Sequence, residues 1–138
     1  MFITHNKVRM NDTDMAGILY FANQFRFVHD AWEDLVEKEN ISFHQVLYKE
    51  NFLFVIVHAE ADYYAPLNIG DQLMIHVEVE KIGTSSFTML YNIYKEEDNS
   101  HVGQAKITHV TINKKTRQKI PIPEHLKNLL HKYLIPVM

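Results

Sequence analysis

NDTDMAGILYF, residues 11–21, concentrates more chemistry in one short span than any other part of the chain. Asp12 and Asp14 close a stretch from Phe2 to Met10 that reads as a strand, and Gly17 permits a tight turn. Apolar periodicity of helical type begins near Ile18. A carboxylate just before a helix N-terminus lies beside unpaired backbone N–H groups and the positive end of the helix dipole. Such a place can hold a nucleophile or base and, close by, an oxyanion. The same residues also suit a plain cap, because Asp and Asn side chains accept backbone N–H bonds before a helix. Local spacing leaves both readings open.

Outward from this span the pattern settles the fold class. Phe21, Phe25, Val28, Trp32, Leu35 and Val36 recur at three- and four-residue steps and predict a long helix ending near Asn40. Ala22, Phe27 and Ala31 lie off that stripe, so the helix is covered on more than one face. Ser42 is placed to cap a short helix within residues 41–49. Strands follow at 52–64, 72–82, 86–96 and 102–113. In the second of these Leu73, Ile75, Val77 and Val79 share one face, with His76, Glu78 and Glu80 on the other. Residues 66–71 make a turn, residues 113–116 a hairpin tip, and Pro123-Glu124 opens a last helix running to Leu134. One strand, a long helix and then four antiparallel strands predict an α+β fold whose curved sheet wraps the helix. Its edge strands need a cover, and a dimer that continues the sheet supplies one.

The 138 residues read as one domain, 1–138, with 46% apolar and 22% charged residues. A net charge of −3 argues against nucleic acid as a partner, and no apolar run is long enough for a membrane span. The N-terminus carries no signal-peptide pattern, so a cytoplasmic location is expected. Without cysteine there is no thiolate nucleophile and no Cys-based metal site. The 9 histidines are scattered without HExxH or HxH spacing, so no metal is expected and most are read as surface or half-buried polar residues.

With these elements in place, the chain resembles the hotdog-fold acyl-CoA thioesterases of the 4-hydroxybenzoyl-CoA thioesterase type. The resemblance rests on VRMNDTDMAGILYFANQF at 8–25, the helix through Trp32 and Leu35, and ADYYAPLNIGDQLMIHVEV at 61–79. The family pattern Asp-x-Asp-x-x-Gly-x-x-Tyr/Trp falls on Asp12, Asp14, Gly17 and Tyr20, and its later aromatic-x-x-Pro…Gly-Asp turn on Tyr63, Pro66, Gly70 and Asp71. Asn23-Gln24-Phe25 and Val57-His58-Ala59 bring the chain nearest to the branch that acts on 1,4-dihydroxy-2-naphthoyl-CoA in menaquinone and phylloquinone synthesis.

The resemblance implies a hotdog fold, an acyl-CoA substrate, no cofactor beyond the coenzyme A of the substrate, and a homodimer assembling into a homotetramer. It assigns the catalytic carboxylate to Asp14, the turn to Gly17, and the carbonyl-polarising donor to the backbone amide of Phe21. A helix end supplies donor and dipole together where an oxyanion develops. Asp14 either attacks the thioester carbon or activates water. Asp12 is read as support. Tyr20 and His58 are candidates for substrate contact, although the side chains of Tyr20 and Phe21 are equally at home in a core and are expected there. A Ser-Phe pair preceded by basic residues belongs to the family's coenzyme A path; Ser86-Phe87 matches it, but Gly83-Thr84-Ser85 precede it and only Lys81 is nearby. Lys114, Lys115, Arg117 and Lys119 are then the better phosphate candidates, against a solvated hairpin tip. A hotdog dehydratase is disfavoured by the Asp-x-Asp-x-x-Gly pattern, and a non-catalytic acyl-CoA-binding module by the retained Asp14.

Overall fold

Phe27, Val28, Ala31, Trp32, Leu35 and Val36 are each no more than 2% exposed, and their spacing defines the buried faces of one long helix, α1 (Gln24–Lys38). The computed structural model describes residues 1–136. Around α1 curves a five-stranded antiparallel sheet of β1 (Phe2–Lys7), β2 (Phe52–Tyr63), β3 (Gln72–Ile82), β4 (Ser86–Lys95) and β5 (His101–Asn113), in the order β1-β3-β4-β5-β2. Helix α2 (Phe43–Tyr48) precedes β2, and α3 (Glu124–Lys132) follows β5 in the chain and packs beside β3, where Val79 N–H donates to Tyr133 O. This is the hotdog architecture that the family resemblance implied.

Strict alternation decides which face meets the helix. Leu73, Ile75, Val77 and Val79 of β3 and Phe87, Met89, Tyr91 and Ile93 of β4 are all buried, while their neighbours face outward. Register is fixed by that division, since a one-residue slip would turn the whole apolar set to solvent. These residues join the α1 stripe and Leu126, Leu129 and Leu130 of α3 in one continuous core.

Two boundaries differ from the sequence expectation. The helix starts at Gln24 rather than near Ile18, preceded by a 3-10 turn at Phe21–Asn23. Ile18 and Leu19 are drawn into pairing instead: Leu19 N–H donates to Leu67 O at 2.7 Å, and Ile18 bridges Asn68. The first strand likewise stops at Lys7, and Met10–Asp12 form a 3-10 turn. The Pro66–Asp71 turn has a structural duty that explains its composition. Gly70 takes φ 90° and donates to Val8 O, and Asp71 O accepts from Val8 N–H, so the turn pins the end of β1.

β1 and β2 are the sheet edges. β2 is the longer, with 12 residues, and Ile56 and Val57 at its centre are 50% and 59% exposed. A bulge between Ile56 and His58 interrupts its ladder with β5.

Candidate active site

Asp14 heads a small turn built by its own backbone and side chain. Gly17 N–H donates to Asp14 O at 3.0 Å, Asp14 N–H to Ile18 O at 2.9 Å, and Ala16 N–H to Asp14 Oδ1 at 2.8 Å. Gly17 holds φ 80°, a conformation that strains any residue with a Cβ. The turn leaves the Asp14 carboxylate exposed, with Oδ1 oriented by an N–H. That is a presentable nucleophile or base.

The candidate donor, the Phe21 N–H, is oriented from the other side. Tyr20 O accepts Asn23 N–H at 2.9 Å. In a trans peptide the C=O and N–H point in opposite directions, so this bond aims the Phe21 N–H away from the turn and outward. Tyr63 O–H donates to Phe21 O and fixes the next peptide, which carries the Ala22 N–H. Neither N–H has a backbone acceptor among the described residues. Two N–H groups are thus free at the entrance to a 15-residue helix, where they can meet a developing negative charge.

Asp12 is the bolt between these parts. It is 1% exposed, and its carboxylate takes Arg26 Nε at 2.7 Å, Arg26 Nη2 at 2.6 Å and Arg9 N–H at 2.8 Å. Its backbone oxygen accepts Tyr20 N–H and Asn23 Nδ2, each at 2.9 Å. Burial pushes its carboxyl up, but the Arg26 hydrogen bonds and the added charges of Arg26 and Arg9 outweigh this and hold it below the usual value. Asp12 therefore fixes the loop and helix start as a charged, fully paired group, and Asp14 is left free. Sequence reasoning missed Arg26. The missed signal was weak: an Arg one turn into an otherwise apolar stripe.

Gln24 was also missed as a site residue. Its buried Nε2 donates to Asp62 O and Gln104 O, both at 3.2 Å, locking the first turn of α1 to the ends of β2 and β5. Gly103 leaves room for it, since a Cβ there would stand 2.6 Å from Gln24 Oε1.

The side chains of the remaining candidates are placed as follows. Tyr20 and Phe21 are 46% and 62% exposed, which corrects the expectation that their side chains join the core. They sit before the helix begins, and their rings rest on each other at 4.9 Å. His58 stands exposed on β2 with Nε2 3.3 Å from Glu60 Oε1. Lys114 Nζ donates to Val46 O and Leu47 O, so it ties down the C-terminal carbonyls of α2. Lys115 and Arg117 are exposed in the hairpin tip, and Ser86 begins β4.

Within one chain Ser86 and the basic hairpin do not converge with Asp14. Tyr63, beside Phe21, pairs with Gly103, whereas Phe52 pairs with Asn113 at the far end of the same ladder. Ten residues of strand separate the Phe21 end from the basic hairpin by on the order of 30 Å. Among the described residues no cluster of three or more His, Cys, Asp or Glu could hold a metal ion. No helix of the described residues is long and apolar enough to cross a membrane.

Comparison with known proteins decides the family. The family profile described as "Thioesterase-like superfamily" matches residues 8–130. The chain belongs to the thioesterase-like superfamily. As a member of it, the chain is 34% identical over 131 residues to a 1,4-dihydroxy-2-naphthoyl-CoA hydrolase of Prochlorococcus marinus (strain NATL2A), covering 90% of this chain and 83% of that one. It is 35% identical over 127 residues to the protein of the same description in Nostoc punctiforme, covering 91% and 84%. Among solved structures, the 1,4-dihydroxy-2-naphthoyl-CoA thioesterase from Synechocystis superposes with a TM-score of 0.89 at 28% identity, covering 94% of this chain and 95% of that one.

Proposed function

We propose that this chain is an acyl-CoA thioesterase that hydrolyses an aromatic acyl-CoA, with 1,4-dihydroxy-2-naphthoyl-CoA of menaquinone or phylloquinone synthesis as its substrate. The observation that carries the chemistry is the pairing of an oriented, exposed Asp14 carboxylate with the free Phe21 and Ala22 N–H groups, seven and eight residues on. The substrate reading is supported by the 34% and 35% identities to relatives described as 1,4-dihydroxy-2-naphthoyl-CoA hydrolases.

The thioester oxygen lies against the Phe21 N–H, and charge developing on it is met by two donors and the helix dipole. Asp14 then acts in one of two ways. As a nucleophile it bonds to the carbonyl carbon, the C–S bond breaks, coenzyme A leaves as thiolate and takes a proton, and water cleaves the mixed anhydride. As a base it removes a proton from water, hydroxide attacks the same carbon, and the C–S bond breaks so that coenzyme A leaves as thiolate and takes the proton. Neither route needs a metal or cofactor. A single domain, 1–138, provides both groups.

A two-fold dimer across β2 completes the site. Among the described residues no strand lies beside the edge of β2 remote from β5, and the centre of β2 is apolar and exposed. Antiparallel pairing about that centre sets the Asn51 end of one copy against the Tyr63 end of the other. Lys114 N–H donates to Asn51 O at 2.8 Å, so the hairpin bearing Lys115 and Arg117 travels with the Asn51 end. Those two cations then reach the partner's Phe21 turn, where coenzyme A phosphates need charge. Lys114, held by α2, contributes to the hairpin rather than to phosphate. His58, near the centre of β2, and Tyr20, beside the donor peptide, face the same seam. Ser86 serves the coenzyme A path from the sheet end. Two such dimers make a homotetramer in the cytoplasm.

A panel of acyl-CoAs (dihydroxynaphthoyl, benzoyl, short-chain and long-chain) assayed for free thiol tests this reading. Preferred turnover of 1,4-dihydroxy-2-naphthoyl-CoA is the expected result. Preference for straight chains would make it a general thioesterase, and no thiol from any of them a binding module.

A further inference from the structure

Two buried polar side chains play no part in the mechanism above. Tyr91, on the central strand β4, is fully buried, and His109, on β5, is 3% exposed. The Tyr91 hydroxyl and both ring nitrogens of His109 have no hydrogen-bond partner among the described residues. Nearly every buried polar group in a folded protein is paired, so three orphan atoms in one place need an explanation. They share a wall: both residues line a cavity of about 210 Å³ between α1 and the β2–β5 side of the sheet. The rest of that wall is apolar or aromatic except for His29, and no carboxylate or ammonium lines it.

The cavity's shape and place are informative. Phe25, Val28 and Trp32, spaced three and four residues apart, form its roof, so it begins one helical turn after the Phe21 peptide. Its exposed residues, His29, Ile56 and Ala59, lie on the side of edge strand β2, and Tyr91 stands deepest. An apolar cavity of roughly 150 Å³ already admits a benzene ring, so this one has room for a larger flat ring system. His109 is held rigidly, stacked on Trp32 and on Phe87 with ring centroids 4.9 Å apart in both cases. Burial keeps its imidazole neutral, with one N–H donor and one acceptor nitrogen. A straight acyl chain would leave all three atoms unpaired. A ring hydroxyl placed there pairs the Tyr91 oxygen and one His109 nitrogen.

We propose that Tyr91 and His109 are specificity-determining residues at the floor of the acyl pocket, where they hydrogen-bond the ring hydroxyl remote from the thioester. The inference rests on the thioesterase reading above and extends it to how one acyl group is told from another. A site built to bind a hydroxyl discriminates against the analogue lacking it far more strongly than an apolar slot can.

The test compares 1,4-dihydroxy-2-naphthoyl-CoA with 1-hydroxy-2-naphthoyl-CoA, which differ by the remote hydroxyl alone. The wild-type protein is expected to favour the first by at least about 10-fold in kcat/KM. In Tyr91→Phe, which removes one oxygen and keeps the ring, that ratio falls towards one, and His109→Phe acts in the same direction. Titration of the two free acids gives a readout that needs no turnover: the dihydroxy acid binds at least about 10-fold more tightly to wild type, and Tyr91→Phe removes the difference. If Tyr91 and His109 merely hold a structural water, both substrates suffer alike and the ratio stands, which overturns the proposal. Equal wild-type turnover of the two esters overturns this inference and leaves the thioesterase reading intact. No thiol release from either overturns both.

Discussion

Arg26 grips Asp12 through two parallel hydrogen bonds, Nε on Oδ1 at 2.7 Å and Nη2 on Oδ2 at 2.6 Å. The pair joins the third residue of α1 to the loop before it, and Arg26 also reaches Asp30 one turn on at 2.9 Å. The two aspartates of the opening motif thereby separate by role. One is neutralised in a buried clamp, and the other is left free at the surface.

Removing one partner of such a clamp leaves an uncompensated buried charge. Arg26→Ala is expected to destabilise the fold by about 3 kcal/mol, read from the midpoint of urea unfolding. The pH dependence distinguishes charge from lost packing. In the wild type the depressed Asp12 pKa contributes stability above the unfolded value of 3.8, and that stability is lost as pH falls through the folded value. In the variant, burial acts on the carboxyl without Arg26 to oppose it. The deficit against wild type is therefore full above the variant's own, higher Asp12 pKa and shrinks as pH falls from there towards the wild-type value. A deficit independent of pH would contradict the electrostatic account.

Gln24 and Gly103 are expected to be coupled. Gly103→Ala places a Cβ 2.6 Å from Gln24 Oε1 and displaces an amide that holds two carbonyls. A loss of roughly 1–3 kcal/mol follows from leaving those buried groups unpaired. Gln24→Ala removes both the amide and the clash, so adding Gly103→Ala to it changes stability little. A double-mutant cycle measures this, and strict additivity would contradict the contact.

His109 gives the fold an acid sensitivity. Its pKa is lowered from 6.5 to about 4, first by burial and second by the nearby His29. Below pH 6.5 the unfolded chain binds a proton that the folded one refuses, so stability falls as pH drops towards 4. At pH 5 this amounts to about 2 kcal/mol, the 1.5-unit gap at roughly 1.4 kcal/mol each. His109→Phe is expected to flatten that part of the stability curve, measured as Tm between pH 7.5 and 5. An unchanged slope would place the sensitivity elsewhere.

The elements readable in advance were those encoded by local pattern. β3 shows its alternation openly, and Gly17 and Gly70 mark turns because each must reach positive φ. Helix α1 was clear in its body and blurred at its start, because Ile18 and Leu19 pair with residues some fifty positions away and no local periodicity reports that. The same distance hid most of the site's framework. Tyr63 reaches Phe21 across 42 positions and Gln24 reaches Gln104 across 80. His109 did leave a trace. It lies in phase with Ala105 and Ile107 on the buried face of β5, a periodicity that sets it apart from the surface and half-buried positions expected for most of the histidines. What period cannot show is that Tyr91 of β4 lines the same cavity.

The central claim is that the Asp14 carboxylate performs the hydrolysis and that the surrounding turn only presents it. Asp14→Asn keeps the side-chain oxygen that accepts Ala16 N–H and removes the charge, so the turn and fold remain. Free thiol release from 1,4-dihydroxy-2-naphthoyl-CoA by this variant, with affinity for the same ester measured alongside, is the direct measurement. The account predicts that turnover drops at least about 100-fold while the ester still binds. Turnover within a few-fold of wild type would contradict it.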